Sequence, residues 1–368
     1  MKDISSIKSI LFVQDSSPCI RTIKYATALQ SRGYLIHLLH RNKTPDEAYG
    51  YGNSSFASIT RLPGHHFGEI KKIREIIKQQ EIEIIHYHNQ PDRLGARLIQ
   101  GRPGVPVIYD QHDFMSFKHH ISGRAKKNER ICNERADGAV YITRSYKNEV
   151  ARYYSLVENA ICFANYFPAS SALEPKDCLS KLSASDGRRH VVYLGRISER
   201  TFDHRNIIKA LTGLSAEGFF IHLYPSKNKE YSRYRQIPNC TVHKKLPYQQ
   251  LIREISQYDF GVTVFNGAVA SKLPHIVYAL GNKTFDYLCA GIPVLVQDCL
   301  VEVKNIVIKN GFGFILERYE EYKNISTGSY QGLVETILDN RRAFTMESQI
   351  QRIIDFYTFS VENYRAKA

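Results

Sequence analysis

The sequence of 368 residues is short of several features that would settle its class at once. No apolar run reaches the roughly 18 to 20 residues needed to cross a bilayer. The opening residues Met1-Lys2-Asp3-Ile4-Ser5-Ser6 lack the apolar segment of a secretory signal, so none is expected. The seven cysteines, Cys19, Cys132, Cys162, Cys178, Cys240, Cys289 and Cys299, are odd in number, scattered, and never spaced as Cys-x-x-Cys. This excludes a disulfide frame or a zinc knuckle and predicts reduced thiols in a cytoplasm. There is no short-period repeat, no low-complexity tract and no suitably placed Asp-x-Asp pair. A recognition helix, an RNA-binding strand motif and a zinc finger are also missing, which weighs against a nucleic-acid-binding protein.

What is present is an ordinary globular composition, 43 % hydrophobic and 23 % charged, in a chain long enough for two domains. The formal net charge is +14. Up to Asn165 there are 24 Lys/Arg against 16 Asp/Glu, and beyond it 26 against 20, so both halves are basic. Such a field attracts phosphates, anionic headgroups or nucleic acid without choosing among them.

Hydrophobic patterning alternates strand and helix. Strands are predicted at 9–14, 34–39, 82–85, 105–109, 138–142 and 160–163, with helices from Ser17-Pro18 to about Arg32 and at 68–80, 92–100, 122–135 and 144–154. A polar stretch at 168–189 reads as a linker. The alternation restarts with strands at 190–194, 219–223, 241–243, 259–265, 292–296 and 312–316, and helices at 333–341 and 348–366 close the chain. The prediction is α/β, with an N-terminal domain over 1–167 and a C-terminal domain over 190–368 whose last helix is a candidate to cross back to the first. Each is a parallel sheet covered on both faces, with ligands at the carboxyl ends of the strands.

Six segments carry candidate chemistry. Asn282-Lys283-Thr284-Phe285-Asp286-Tyr287-Leu288-Cys289-Ala290-Gly291-Ile292-Pro293-Val294 is a short helix stopped by glycine before an apolar strand. Asp286 at mid-helix suits two vicinal hydroxyls, or is a solvated acid. Val191-Val192-Tyr193-Leu194-Gly195-Arg196-Ile197-Ser198 ends a strand on glycine and arginine, a guanidinium fork suited to a diphosphate. Val107-Ile108-Tyr109-Asp110-Gln111-His112-Asp113 brings acid, histidine and acid to a strand end. Ile84-Ile85-His86-Tyr87-His88-Asn89 holds two histidines two apart, for which the sequence offers no third metal ligand. The loop Gln14-Asp15-Ser16-Ser17-Pro18-Cys19 leads into a helix N-terminus able to meet an anion. Lastly, Lys71, Lys72, Arg74 and Lys78, and then Arg124, Lys126, Lys127 and Arg130, are basic helix faces, for an anionic membrane or merely solvated. His65-His66 and His119-His120 read as loop residues.

The first of these segments resembles the "NKxFEYxAxGxPVV" signature of GT-B glycosyltransferases, especially glycosyltransferase family 4. The resemblance implies a GT-B fold, two Rossmann-like domains facing across a cleft. It also implies transfer of a sugar from a UDP- or GDP-linked donor, without a metal or other cofactor. The acceptor it suggests is a glycan or lipid-linked precursor in bacterial cell-surface polysaccharide or glycoconjugate synthesis, with the protein peripheral on the inner face of the plasma membrane. Asp286 falls on the ribose-binding acid. Gly195-Arg196 resembles the family's "YVGRLSPEKG", placing Arg196 on the donor diphosphate with Arg200 and Lys283 beside it. His112 matches the family histidine near the transferred sugar. Asp113, Asp15 and His112 are candidate bases if the reaction inverts, and Ser16 and Ser17 stand where the family carries paired glycines. The family's lysine after the arginine has no counterpart in place. Its first acid, eight residues before Asp286, is Tyr278 here. That departure keeps open a GT-B protein that binds without transfer, or an epimerase.

Overall fold

The structure is a computed structural model describing residues 7–62, 68–118 and 121–367. Both histidine pairs at 65–66 and 119–120 lie outside these residues. The chain divides into two compact units, Met1–Ala164 with Met346–Ala368, and Asn165–Thr345.

The first unit is built on a seven-stranded sheet: β1 Ser9–Gln14, β2 Leu35–His40, β3 Ser58–Arg61, β4 Ile84–His88, β5 Val107–Gln111, β6 Gly138–Tyr141 and β7 Ala160–Cys162. The order is β3-β2-β1-β4-β5-β6-β7, and every pairing is parallel. β1, β4 and β5 are buried along their whole length, as expected of strands with helices on both faces. The second unit has six strands: β8 His190–Gly195, β9 Phe220–Pro225, β10 Cys240–Val242, β11 Phe260–Thr263, β12 Val294–Val296 and β13 Gly313–Ile315. Their order is β10-β9-β8-β11-β12-β13, again parallel throughout.

The strand order reverses at β1/β4 in one unit and at β8/β11 in the other. In open parallel sheets the loops leaving such switch points form ligand sites. They are the loops after Gln14 and His88, and after Gly195 and Thr263.

Several boundaries differ from the sequence reading. The first helix is Ile20–Gln30, capped at Cys19, because the Ser17 hydroxyl accepts the Lys43 N–H instead of capping a turn. The helix predicted to reach Tyr154 ends at Val150. The penultimate helix begins at Thr327, where Ser326 accepts the Ser329 N–H as a side-chain cap. The short edge strand β3 was not anticipated. The polar stretch 168–189 is not a free linker. It belongs to the second unit, where Lys181 Nζ donates to the carbonyls of Ser256 (2.8 Å) and Tyr258 (2.7 Å) and the Ser183 hydroxyl to Asp259 (2.7 Å). The C-terminal domain therefore starts at Asn165 rather than at 190 and stops at Thr345. The closing helix, Met346–Lys367, is part of the first unit.

Candidate functional site

In the first unit, the carboxyl ends of β4 and β5 meet the first helix around Asp110, which is fully buried. One carboxylate oxygen, Oδ2, accepts from Arg21 Nε at 2.8 Å and His86 Nε2 at 3.2 Å, while His88 Nδ1 stands 3.4 Å away. Arg21 also donates to the carbonyls of Ala164 (3.0 Å) and Phe163 (2.8 Å). Since the carboxylate accepts from His86 Nε2, the ring's Nδ1 accepts from the Tyr357 hydroxyl. Burial alone would raise the Asp110 carboxyl, but Arg21 and the two histidines outweigh it and hold it well below the usual range. Burial drives the His88 imidazole down to about 3, so this ring is neutral. His86, His88 and Asp110 have ligand atoms within 4.8 Å of one another, which supplies the third donor that the sequence reading lacked. The guanidinium already on the same carboxylate oxygen would repel a metal cation there, so we read the cluster as a hydrogen-bonded brace.

The brace sets the loop that follows. Asn89 Oδ1 accepts the backbone N–H groups of His112 and Asp113, each at 3.3 Å, and its amide donates to the Asp113 carbonyl. Asn89 thus fixes the turn presenting His112 and Asp113, a role the sequence did not disclose. Cys19, partly exposed at the start of the first helix, has its Sγ 3.3 Å from Thr22 Oγ1. Burial would raise this thiol, but the facing imidazolium and the Thr22 hydroxyl and N–H bring it down to about 7. Burial would lower His112, but the thiolate, Asp110 and Asp113 together raise it.

The other residues of the first loop are already engaged. Asp15 is buried in ion pairs with Arg41 (2.6 Å) and Arg93 (3.1 Å). The network continues to buried Glu69, which Arg41 and Arg97 (2.5 Å) also hold. With its carboxylate taken by two guanidiniums, Asp15 is a structural anchor of the loop in this arrangement. The Ser16 hydroxyl donates to the Ser17 carbonyl at 3.2 Å, and Ser17 accepts from Lys43 at 3.1 Å. Neither serine hydroxyl heads the helix.

In the second unit, Gly195 ends β8 at φ +112°, a conformation that favours glycine, with open space where a Cβ would stand. The chain then turns, and Arg196 is exposed. Arg196, Arg200, Arg205, Lys227 and Lys229 line one cavity of about 350 Å³ against a single acid, Asp203. A larger hollow of about 480 Å³ sets Arg318 against Asp298 and Glu317. Charge makes the smaller one the candidate anion site. Arg205 lines this cavity together with Arg200 and is near enough to Lys283 to act on its charge.

Lys283 and Asp286 lie on the helix Asn282–Cys289. Lys283 Nζ donates to the Tyr193 hydroxyl at 2.9 Å and sits 4.0 Å over that ring and 4.9 Å from the Phe265 ring. Burial and then Arg205 push Lys283 down to about 7, against the pull of Asp286. Asp286 Oδ1 accepts from the Tyr248 hydroxyl at 3.0 Å. Tyr248 heads the helix Tyr248–Ile255, some forty positions away in sequence, and no local pattern points to it. Tyr278 closes the short helix Pro274–Val277.

Residues 21–162 match the family model described as Glycosyltransferase Family 4, which lies within the first unit. The motifs around Arg196 and Asp286 fall outside that match. No curated protein matches the sequence. Among solved structures, sucrose-phosphate synthase from Thermosynechococcus elongatus is similar over 98 % of this chain and all of its own, with TM-score 0.68 and 12 % identity. A glycosyltransferase from Rickettsia africae covers 97 % of this chain and 99 % of its own, with TM-score 0.69 and 12 % identity. The Anabaena HepE protein, solved in complex with UDP-glucose, covers 97 % and 99 % at TM-score 0.62 and 15 % identity. The chain has the GT-B fold of these proteins, and it resembles GT-B glycosyltransferases over its full length.

Proposed function

We propose that the protein is a glycosyltransferase that takes a sugar from a nucleoside-diphosphate donor. The observation that carries this reading is the second unit's basic cavity after β8, next to the helix bearing Lys283 and Asp286. The diphosphate is assigned to Arg196, Arg200 and Arg205, and the ribose hydroxyls to Asp286, held by Tyr248. As the glycosidic bond breaks, charge grows on the departing diphosphate, and fixed guanidinium and ammonium groups stabilise it. No step of this assignment calls on a metal. UDP is the favoured nucleoside diphosphate, because HepE shares the fold and binds UDP-glucose. GDP is the alternative.

The first unit is assigned the acceptor, a glycan or lipid-linked precursor of a cell-surface polymer. His112, raised and close to Asp113, is suited to orient or protonate an oxygen. Asp113 is the base if the reaction inverts. Positive charge on both units favours association with an anionic membrane face. On helix Glu69–Gln79, however, Ile73 and Ile76 are core residues, and Arg74 donates to the Gly101 carbonyl at 2.7 Å. That helix has no apolar face left for lipid, so membrane contact through it would be electrostatic. Co-sedimentation with anionic but not neutral vesicles is expected, at about 1 kcal/mol per basic residue near the surface. Equal binding to both, or none, contradicts it.

A thermal-shift panel tests the main reading. A nucleotide sugar at 100 times Kd stabilises its unit by about 2.7 kcal/mol. DNA at roughly 150 mM salt should do nothing, because a diffuse basic field is screened. Stabilisation by DNA alone would favour nucleic-acid binding. A nucleotide sugar that binds, is not hydrolysed and transfers to no acceptor would point to the non-transferring or epimerase reading that Tyr278 keeps open.

A further inference from the structure

We propose that Tyr49 and Tyr51 form a platform on which a neutral pyranose ring of the acceptor stacks, one whose C–H groups share a face, as in β-glucosides and β-galactosides. That the sugar belongs to the acceptor rests on the glycosyltransferase reading; the stacking itself does not. Both side chains stand out from the first unit, 40 % and 44 % exposed, with ring centroids 6.5 Å apart. One exposed ring on a surface is ordinary, whereas here two adjacent rings are held on a fastened turn.

Thr44 and Glu47 cap the helix Pro45–Tyr49 reciprocally. Gly50 (φ +82°) and Gly52 (φ +114°) then bracket Tyr51 with backbone conformations that favour glycine. At Gly52 an added Cβ would stand 3.0 Å from Ile23 and 3.1 Å from Pro45, so the chain lies close on the first helix. Asp46 and Asn53 close the turn, each side chain accepting the other's backbone N–H, at 2.8 and 3.2 Å. Beyond it, the Ser54 carbonyl accepts from Gln30 Nε2 at 3.1 Å and Ser55 Oγ lies 2.7 Å from Thr27 Oγ1, both partners being on the first helix. Rings placed in advance in this way lose little freedom when a ligand meets them.

Place and charge identify the occupant. The turn follows β2, and its stem is tied to the loop after β1. The Arg41 N–H donates to the Ser16 carbonyl at 3.2 Å, the Lys43 N–H donates to the Ser17 hydroxyl at 3.1 Å, and the Arg41 guanidinium pairs with Asp15 at 2.6 Å. That loop leaves the switch point of the sheet, where ligands of open parallel sheets bind. Between positions 43 and 61 the charged residues are Lys43 and Arg61 against Asp46 and Glu47, and Arg61 pairs with Glu47 at 2.9 Å. This balance offers no net field to a phosphate or an anionic headgroup. A neutral sugar needs none, because its C–H face meets the electron-rich face of an aromatic ring while the phenol bonds to its hydroxyls. Burial, then Cys19 and Tyr51, push the Tyr49 phenol up to about 12, so its hydroxyl stays a donor at neutral pH.

The experiment is saturation-transfer NMR on the full chain with cellobiose, lactose and chitobiose, without nucleotide. Wild type should transfer saturation to the C–H protons of one sugar ring in at least one of the three. Tyr49→Ala and Tyr51→Ala should each weaken that binding by about 2- to 12-fold, the range of a single ring contact, and Tyr51→Phe should keep it within about twofold. UDP affinity, read by calorimetry, should be the same in wild type and all three variants. No saturation of any disaccharide by wild type, or equal saturation by both alanine variants, overturns the proposal. UDP binding that persists in that case leaves the glycosyltransferase reading standing, and its absence removes both. A fall in UDP affinity in the alanine variants, or a wild-type dimer that they separate into monomers, also overturns it, because the rings then brace the fold or join two copies of the chain.

Discussion

Lys283 is a half-buried cation near another cation, Arg205, and this makes it the residue through which pH should reach ligand binding. In the free protein it titrates near 7, lowered by burial and by Arg205. A bound diphosphate favours the charged form and raises that value. Affinity for a nucleotide sugar is therefore complete below about pH 6 and falls by up to tenfold per unit above 7, until the bound-state value is passed. The diphosphate of a nucleotide sugar does not itself titrate in this range. Calorimetry from about pH 6 to 9 should show the fall, and Lys283→Met should bind more weakly with no slope. A wild-type affinity flat across that range would mean that Lys283 does not face the ligand. The sequence made Lys283, Asp286 and Arg196 legible because each sits in a contiguous motif. It hid Tyr248 and Asn89, because these contacts join segments that only the strand order brings together. It also proposed Asp15 as a base without seeing Arg41 and Arg93, whose ion pairs are fixed by tertiary packing.

At the scale of elements, the helix carrying Asp286 is locked to the sheet by its next residue. The Tyr287 ring lies across β11 at Gly261, where an added Cβ would stand 2.2 Å from the ring. The Tyr287 hydroxyl donates to the Val262 carbonyl (3.0 Å) and accepts the Leu194 N–H of β8 (3.2 Å). Gly261→Ala should therefore displace the ring and cost about 1 to 3 kcal/mol, with nucleotide affinity falling as Asp286 shifts. Denaturant unfolding and a nucleotide titration check the two effects, and a variant as stable and as tight-binding as the wild type would refute the locking role. This use of glycine was not legible beforehand, since Gly261 sits inside an apolar strand pattern. The strands themselves were legible because full burial leaves continuous apolar runs, whereas helix ends, set by caps such as Ser326, moved by up to six residues. The stretch 168–189 looked like a linker by composition, yet its polar side chains satisfy backbone carbonyls of the second unit.

At the scale of the molecule, several imidazoles are buried neutral. Burial, then His243 and His190, hold His222 at about 3, and burial lowers His243 as well. His222 bridges the other two through hydrogen bonds of 2.9 and 3.0 Å. The unfolded chain binds these protons near 6.5, so between about 6.5 and 3 it holds more protons than the native state. Stability of the second unit should then fall as pH drops through that window, by up to about 1.4 kcal/mol per unit for His222. His222→Gln should flatten the dependence in melting curves between about pH 7 and 5, and an unchanged slope would mean the ring is protonated in the fold. The GT-B architecture was legible from strand–helix alternation and two motifs, while the return of the last helix to the first unit was only a candidate, since amphipathic spacing does not name a partner. In the proposed function the second unit binds a nucleoside diphosphate through Asp286. The direct measurement is calorimetric titration of wild type and Asp286→Ala with UDP and GDP, alongside melting curves. Wild type should form a complex with one of them, and the folded variant should lose about 10- to 150-fold in affinity, the equivalent of roughly 1.5 to 3 kcal/mol for a charged hydrogen bond. An unchanged Kd in the folded variant, or no binding of either nucleotide by the wild type, would contradict it.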